Sequence, residues 1–331
     1  MATFNKIINT IQNPKQCSDW RQAVIKEIEK LTGRRLLVYV SDPKKQPDCL
    51  LSLEDKTGFS DLIEDIDDGD VDIFINSPGG FAEVTEAIVG ILRSKFTSIR
   101  FAIPNIAKSA ATLLVLSGDE ILMDHRSELG PIDPQIEYPA AGGRRREAAE
   151  DIIDGFDNAK ASLKNEGPSA VPAYVPLLSN YTMGLIQACN NAKNLSIVLA
   201  TQWLTSFMLK ELDKEGIDKI VDSFSHHKKT FSHSRAILID TCIKEGLKIL
   251  DLRKENNQFL GSKLWELWCL YEFEFERTQI YKLWENSNNF VLAKQKAQQL
   301  QIPLRIPIPQ QPGQPAIQVL PTGEHPSKKP Q

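Results

Sequence analysis

Two hydrophobic periods alternate along the first 250 residues. In residues 1–34, Trp20, Val24, Ile25, Ile28 and Leu31 recur at helical spacing, which predicts a helical segment with Ser18 and Asp19 as caps. Arg35–Val40 (RLLVYV) then reads as a buried strand. The pattern next predicts a short amphipathic helix over 57–66, a strand over Val71–Ile75 and a helix over 83–95. A strand over 99–103, an apolar helix over 109–117 and a strand over 120–123 follow. Strands alternating with helices imply parallel βαβ units and an α/β fold. Two of these strands run straight into small-residue turns, at 76–81 and 104–110. Sites in such folds form at the carboxyl ends of strands.

From 147 to 222 the pattern is mostly helical, broken at Gly167-Pro168 and between Pro172 and Pro176. Residues 235–250 predict a helix and a short strand. Residues 254–300 read as helix, with Leu264, Trp265, Leu267, Trp268, Tyr271, Phe275 and Trp284 recurring along it. Such a helix belongs to a core or to a subunit interface, because apolar side chains on several faces need several partner surfaces. Residues 303–331 are rich in proline and are expected to lie outside any packed core. The chain thus divides into a helical N-terminal segment (1–34), an α/β domain (35–252), an aromatic helical extension (253–302) and a Pro-rich tail (303–331).

Composition narrows the function. The 331 residues are 41% hydrophobic and 25% charged, with a formal net charge of −4, which is ordinary for a globular protein and gives nucleic acid no basic face. The densest basic run, Arg144–Arg146, reads as a solvated loop entering a helix. Five scattered cysteines show no metal-ligand spacing, so reduced thiols are expected, with no metal and no other cofactor. The first residues lack a secretory pattern, and the longest apolar stretch, Ala110–Leu116, is too short to span a bilayer. These features predict a cytoplasmic protein.

The chemistry is expected at the two turns. Asn76-Ser77-Pro78-Gly79-Gly80 follows a buried strand, and two glycines there allow positive φ and an unshielded N–H able to bind an oxyanion. Ala107-Lys108-Ser109-Ala110-Ala111-Thr112 opens an apolar helix, with a serine flanked by alanines at its start. Taken singly, the first is readable as a plain tight turn and the second as an N-cap. The layout is more specific when the two occur about 30 residues apart.

The segment INSPGGFAEVTEAI … IPNIAKSAATLLVLSGDEILMDHRSELGPIDPQ resembles the serine dehydrogenase proteinase family, related to ClpP, signal peptide peptidase A and the NfeD-type peptidases. The likeness runs from about residue 35 to 250, and residues 232–249 resemble the later segment in which ClpP-like chains end a helix with a Gly-Leu turn. It implies a ClpP/crotonase-like spiral of ββα units and a serine peptidase. Ser109 would be the nucleophile. The amide of Gly79 or Gly80, with that of Ala110, would form the oxyanion hole. Acting on a peptide or protein substrate, such a chain would be a homo-oligomer.

The general base is the open position. The stretch where ClpP carries its histidine is SELGPIDPQ here, without one. His125 comes earlier. Alignment with the NfeD-type relatives puts Glu150 where they carry lysine, leaving Lys160 and Lys164 nearby. His233 is the histidine candidate, with Asp133 or Glu128 to orient it. The cluster His226, His227 and His233 is a weak zinc signal, since no carboxylate or cysteine stands at ligand spacing. Two other readings differ in class: a catalytically inactive scaffold or regulatory subunit that keeps the fold, and a crotonase-type acyl-CoA enzyme, against which the serine at the helix start argues.

Overall fold

The computed structural model describes residues 3–140, 143–179, 181–226 and 232–296; the Pro-rich tail and His227 lie outside the described residues. Helices α1 (Phe4–Thr10) and α2 (Pro14–Thr32) open the chain. The cap of α2 is Asn13, whose side chain accepts from the Gln16 amide at 2.9 Å, and not Ser18 or Asp19. Pro14 explains the earlier start: its φ suits the first helical turn, where its missing N–H costs nothing.

The next elements are β1 (Arg35–Ser41), α3 (Asp55–Ile63), β2 (Gly69–Asn76), α4 (Ala82–Arg93), β3 (Phe96–Ala102), β4 (Ile106–Ala107) and α5 (Ala110–Val115). Then come β5 (Glu120–Met123), β6 (Glu128–Leu129), β7 (Gln135–Ala140), β8 (Gly143–Ala148), α6 (Ala149–Glu166), α7 (Val171–Leu178), α8 (Met183–Ser206) and α9 (Lys214–Ser225). The chain continues with β9 (Ile237–Leu238), α10 (Ile239–Lys244), β10 (Ile249–Asp251), α11 (Gln258–Arg277), β11 (Ile280–Asn286) and β12 (Val291–Gln295).

The main sheet has seven strands in the order β10-β5-β3-β2-β1-β11-β12. The first five are mutually parallel, and β11 and β12 are antiparallel to their neighbours. Both faces are covered, which is why β1 reads as one continuous apolar run. Leu37 and Tyr39 enter the core with α3, α4 and α5, whereas Leu36, Val38 and Val40 enter a second core with α1, α2 and α11. The aromatic residues Trp268, Tyr271 and Phe275 of α11 are buried in that second core.

A smaller sheet in the order β4-β6-β9 sits beside the main one, and Ser77 bridges to Ala107 at its edge. The units β3-β4-α5 and β5-β6 each give one long strand to the main sheet and one short strand to the small sheet. The fold is α/β.

Two predicted elements differ. The run from 254 to 300 is not one helix: α11 ends at Arg277 and Ile280–Gln295 forms a hairpin. Tertiary pairing overrides the aromatic periodicity there. β11 covers the edge of β1 with Trp284 opposite Tyr39, their rings 5.2 Å apart. Arg144–Arg146 lie on the strand β8, still exposed, with Arg146 opposite Glu137. All five cysteines are free and buried. Burial pushes the Cys17 and Cys49 thiols up to about 11 and those of Cys242 and Cys269 up to about 12, so they remain protonated at neutral pH. Among the described residues no helix is long and apolar enough to cross a membrane, and no three metal-ligating side chains cluster.

Candidate active site

Main-chain pairing brings the two turns together. The Ser77 N–H donates to the Ile106 carbonyl and the Lys108 N–H to the Ser77 carbonyl, each at 3.0 Å. The Asn76 side chain joins them to β1, donating to the Ser41 carbonyl and accepting from the Ile106 amide, again at 3.0 Å each. The contact is close at Gly79, where φ is +97°. A Cβ there would lie 2.5 Å from the Lys108 carbonyl oxygen and 2.8 Å from the Ser109 Cβ. Only glycine lets these backbones touch.

Ser109 itself has φ 52° and ψ −122°. Serine seldom adopts that conformation, which costs about 1–3 kcal/mol and persists only when its surroundings enforce it. Its side chain makes no cap hydrogen bond to α5, so the plain N-cap reading does not hold. The following helix is anchored instead by Thr112. Its hydroxyl donates to the Ala107 carbonyl at 2.6 Å and accepts from the Gly130 amide at 3.0 Å.

Three amides flank the serine. That of Gly79 is taken up by the Ser77 Oγ at 3.2 Å. Those of Gly80 and Ala110 have no hydrogen-bond acceptor among the described residues. A sequence reading alone treats the two glycines as alternatives; the hydrogen bonding singles out Gly80 as the open donor. Leu51, which carries no sequence signal, lies against this turn. Its N–H donates to the Gly79 carbonyl at 2.8 Å and its carbonyl accepts from the Phe81 amide at 3.1 Å.

Ser109, Gly80 and Ala110 open onto a cavity of about 220 Å³, lined further by Phe81, Leu113, Ile132, Pro134 and Leu195. A wider cleft of about 750 Å³, between Phe207, Leu212, Ile220 and Gly246, shares no lining residue with it. The smaller cavity is the candidate site, because it alone combines a hydroxyl in an enforced turn with open amides.

Among the base candidates, His233 places its Nδ1 2.9 Å from the Asp133 Oδ1; Asp133 is buried and lies between the cavity residues Ile132 and Pro134. The pairing follows the small sheet. β6 and β9 run antiparallel with Glu128 opposite Leu238 and Leu129 opposite Ile237, and Asp133 and His233 each lie four residues beyond the Leu129–Ile237 pair, His233 in the turn that precedes β9. β4 runs parallel to β6, so Ser109 leaves the sheet at the same end. No hydrogen bond joins the Ser109 hydroxyl to His233 among the described residues. Glu128, the other predicted orienter, pairs with Lys108 at 2.7 Å. His125 is exposed in the turn after β5, and Lys160 and Lys164 are exposed on α6, outside the cavity lining. Glu150 is buried against Lys193 at 3.1 Å, with the His226 Nε2 at 3.7 Å.

Residues 57–154 match the family model of the ClpP-like SDH-type serine proteinases. The likeness to that family is confined to this segment, less than a third of the chain. It spans both turns, Ser109 and Asp133, and leaves Leu51 and His233 outside. The chain is also similar to two uncharacterized proteins of Methanocaldococcus jannaschii. One is 32% identical over 129 residues, covering 37% of this chain and 44% of its own length. The other is 38% identical over 74 residues, covering 22% and 26%. The chain therefore spans less than half the length of these curated relatives. Among solved structures it is similar to the ClpP protease catalytic domain from Plasmodium falciparum, at 16% identity and a TM-score of 0.37, over 73% of this chain and 94% of that one.

Proposed function

We propose that the chain is a serine peptidase whose nucleophile is Ser109. The hydroxyl adds to a substrate peptide carbonyl and the new oxyanion accepts hydrogen bonds from the Gly80 and Ala110 amides. His233 takes the hydroxyl proton through its Nε2 and returns it to the departing amine. Asp133 holds the Nδ1–H and stabilises the imidazolium. Water then hydrolyses the acyl-enzyme by the same proton transfers in reverse. The observation that carries this reading is the turn at Ser109, whose hydroxyl makes no cap bond to its own helix, beside two open amides at a cavity. The exposed apolar side chains Val175, Met183 and Val198 support a homo-oligomer, since they leave α7 and α8 with unpartnered apolar surface.

One observation favours an inactive scaffold instead: among the described residues, no base is hydrogen-bonded to the Ser109 hydroxyl. Apo enzymes often close that contact only with substrate bound, so the test must be chemical. A fluorophosphonate probe is expected to label the wild-type protein and not Ser109→Ala. Wild-type protein left unlabelled across pH 6–9 would support the scaffold.

A further inference from the structure

An oxyanion donor is only as well aimed as the peptide plane that carries it. In a trans peptide the C=O and the following N–H point in opposite directions. The Leu51 N–H that holds the Gly79 carbonyl at 2.8 Å therefore also sets the direction of the Gly80 N–H. Leu51 lies flat on this peptide: a Cβ on Gly80 would stand 2.2 Å from the Leu51 carbonyl oxygen.

Leu51 is fixed in turn by the residue after it. The Ser52 N–H donates to the Asp55 Oδ2 at 2.6 Å. The same carboxylate oxygen receives the Lys282 ammonium at 2.8 Å, and that ammonium also reaches the Ser52 Oγ and the Glu54 Oε1 at 3.2 Å each. The Tyr39 hydroxyl donates to the other Asp55 oxygen at 3.4 Å. The side chains of Asp55 and Lys282 are both 0% exposed. Burial pushes the Asp55 carboxyl up, with Lys282 opposing the shift, as expected where both charges are costly to bury. A buried ion pair is a poor way to gain stability, because apolar side chains of similar volume often do as well or better. This pair therefore calls for another role, and the Leu51 strap supplies one.

We propose that Asp55 and Lys282 are positioning residues that fix the Leu51–Ser52 strap and thereby aim the Gly80 amide at the substrate oxyanion. Lys282 comes from β11, so the C-terminal hairpin acts on the site across the sheet, from outside the matched proteinase segment. The inference rests on the peptidase reading above.

The test is an apolar replacement of the pair, Asp55→Leu with Lys282→Met, in the full chain. Its control is Arg21→Met with Glu285→Gln, which removes a second buried ion pair (2.9 Å) that has no tie to the strap. Active sites are counted by fluorophosphonate titration, so kcat is per competent serine. The Asp55/Lys282 variant is expected to unfold at or above the wild-type temperature. Its kcat should fall about 10- to 100-fold with KM nearly unchanged. Inhibition by a peptide aldehyde, whose adduct carries the oxyanion, should weaken by the same factor, while binding of the matching peptide alcohol stays constant. The control should keep wild-type kcat.

A folded Asp55/Lys282 variant with wild-type kcat and aldehyde affinity overturns the inference and leaves the peptidase reading intact. Wild-type protein that neither labels nor hydrolyses peptides overturns both. Should the double variant fail to fold, Ser52→Pro deletes the amide that Asp55 accepts without burying a charge. It is expected to lower kcat at least 10-fold, and an unchanged kcat would be equally decisive against the strap.

Discussion

On one side of Ser109, the glycine turn is tied by main-chain hydrogen bonds to Leu51, Ile106 and Lys108, and Gly79 within it is buried. On the other side, His233 is 21% exposed and its ring makes one hydrogen bond among the described residues, to Asp133. The oxyanion side is a backbone construction, complete without substrate. The proposed base side is a side-chain construction, and among the described residues its imidazole has no hydrogen bond to the Ser109 hydroxyl. Preorganised amides cost no rearrangement when charge develops, whereas a histidine has only to come within reach as substrate binds. The contrast predicts that damage on the two sides will look different.

The largest effect is expected on the base side. Asp133→Asn preserves the shape of the side chain but favours the wrong imidazole tautomer. In a serine triad that change lowers kcat about 10⁴-fold. His233→Ala should match it, and the double variant should be no worse than either, because the two act as one unit. A rate unchanged in Asp133→Asn would remove His233 from the mechanism and return the base to a lysine or to none. Thermal stability should move little in Asp133→Asn, which keeps one hydrogen bond to the ring.

On the glycine side, activity and stability should fall together. In Gly79→Ala the added methyl meets the backbone of Lys108 at 2.5 Å, and φ +97° is strained for alanine. Neither obstacle is a flexible side chain, so the two turns must separate. Loss of an oxyanion donor costs about 100- to 1000-fold in kcat, and the same range is expected here together with a lower unfolding temperature. Full activity in Gly79→Ala would mean that the close approach of the turns is incidental.

The same division governs what was legible in the sequence. SPGG and SAAT are local: each is a strand end, a turn and a helix start within a few residues, and each carries its chemistry in the small residues themselves. β6 and β9 are two residues long, too short for any hydrophobic period, so the pairing that brings the segments of Asp133 and His233 together appears only in the folded chain. Leu51 and Lys282 are less visible still. Leu51 contributes only main-chain atoms to the site. Lys282 breaks the apolar run of a strand that reads as the continuation of an aromatic helix, and its burial makes sense only once Asp55 is beside it. Positions that act through backbone contacts or through a distant partner leave no residue-type signature.

The smallest expected effect concerns the turn at the nucleophile, where the glycine side imposes its geometry on a residue that resists it. Ser109→Ala keeps a Cβ at φ 52° and ψ −122° and so keeps the strain. Ser109→Gly releases about 1–3 kcal/mol of it and gives back roughly 0.5–1 kcal/mol in chain entropy. Ser109→Gly should therefore be more stable than Ser109→Ala by about 1 kcal/mol in urea unfolding, at equal m. Both variants lack the nucleophile, so the difference reads the backbone alone. If the glycine variant were instead the less stable by about 0.5–1 kcal/mol, the ordinary penalty for glycine, the turn would be relaxed. The main-chain ties around Gly79 would then be holding nothing under tension. A positive difference would mean that those ties offset a cost whose only product is the direction of one hydroxyl.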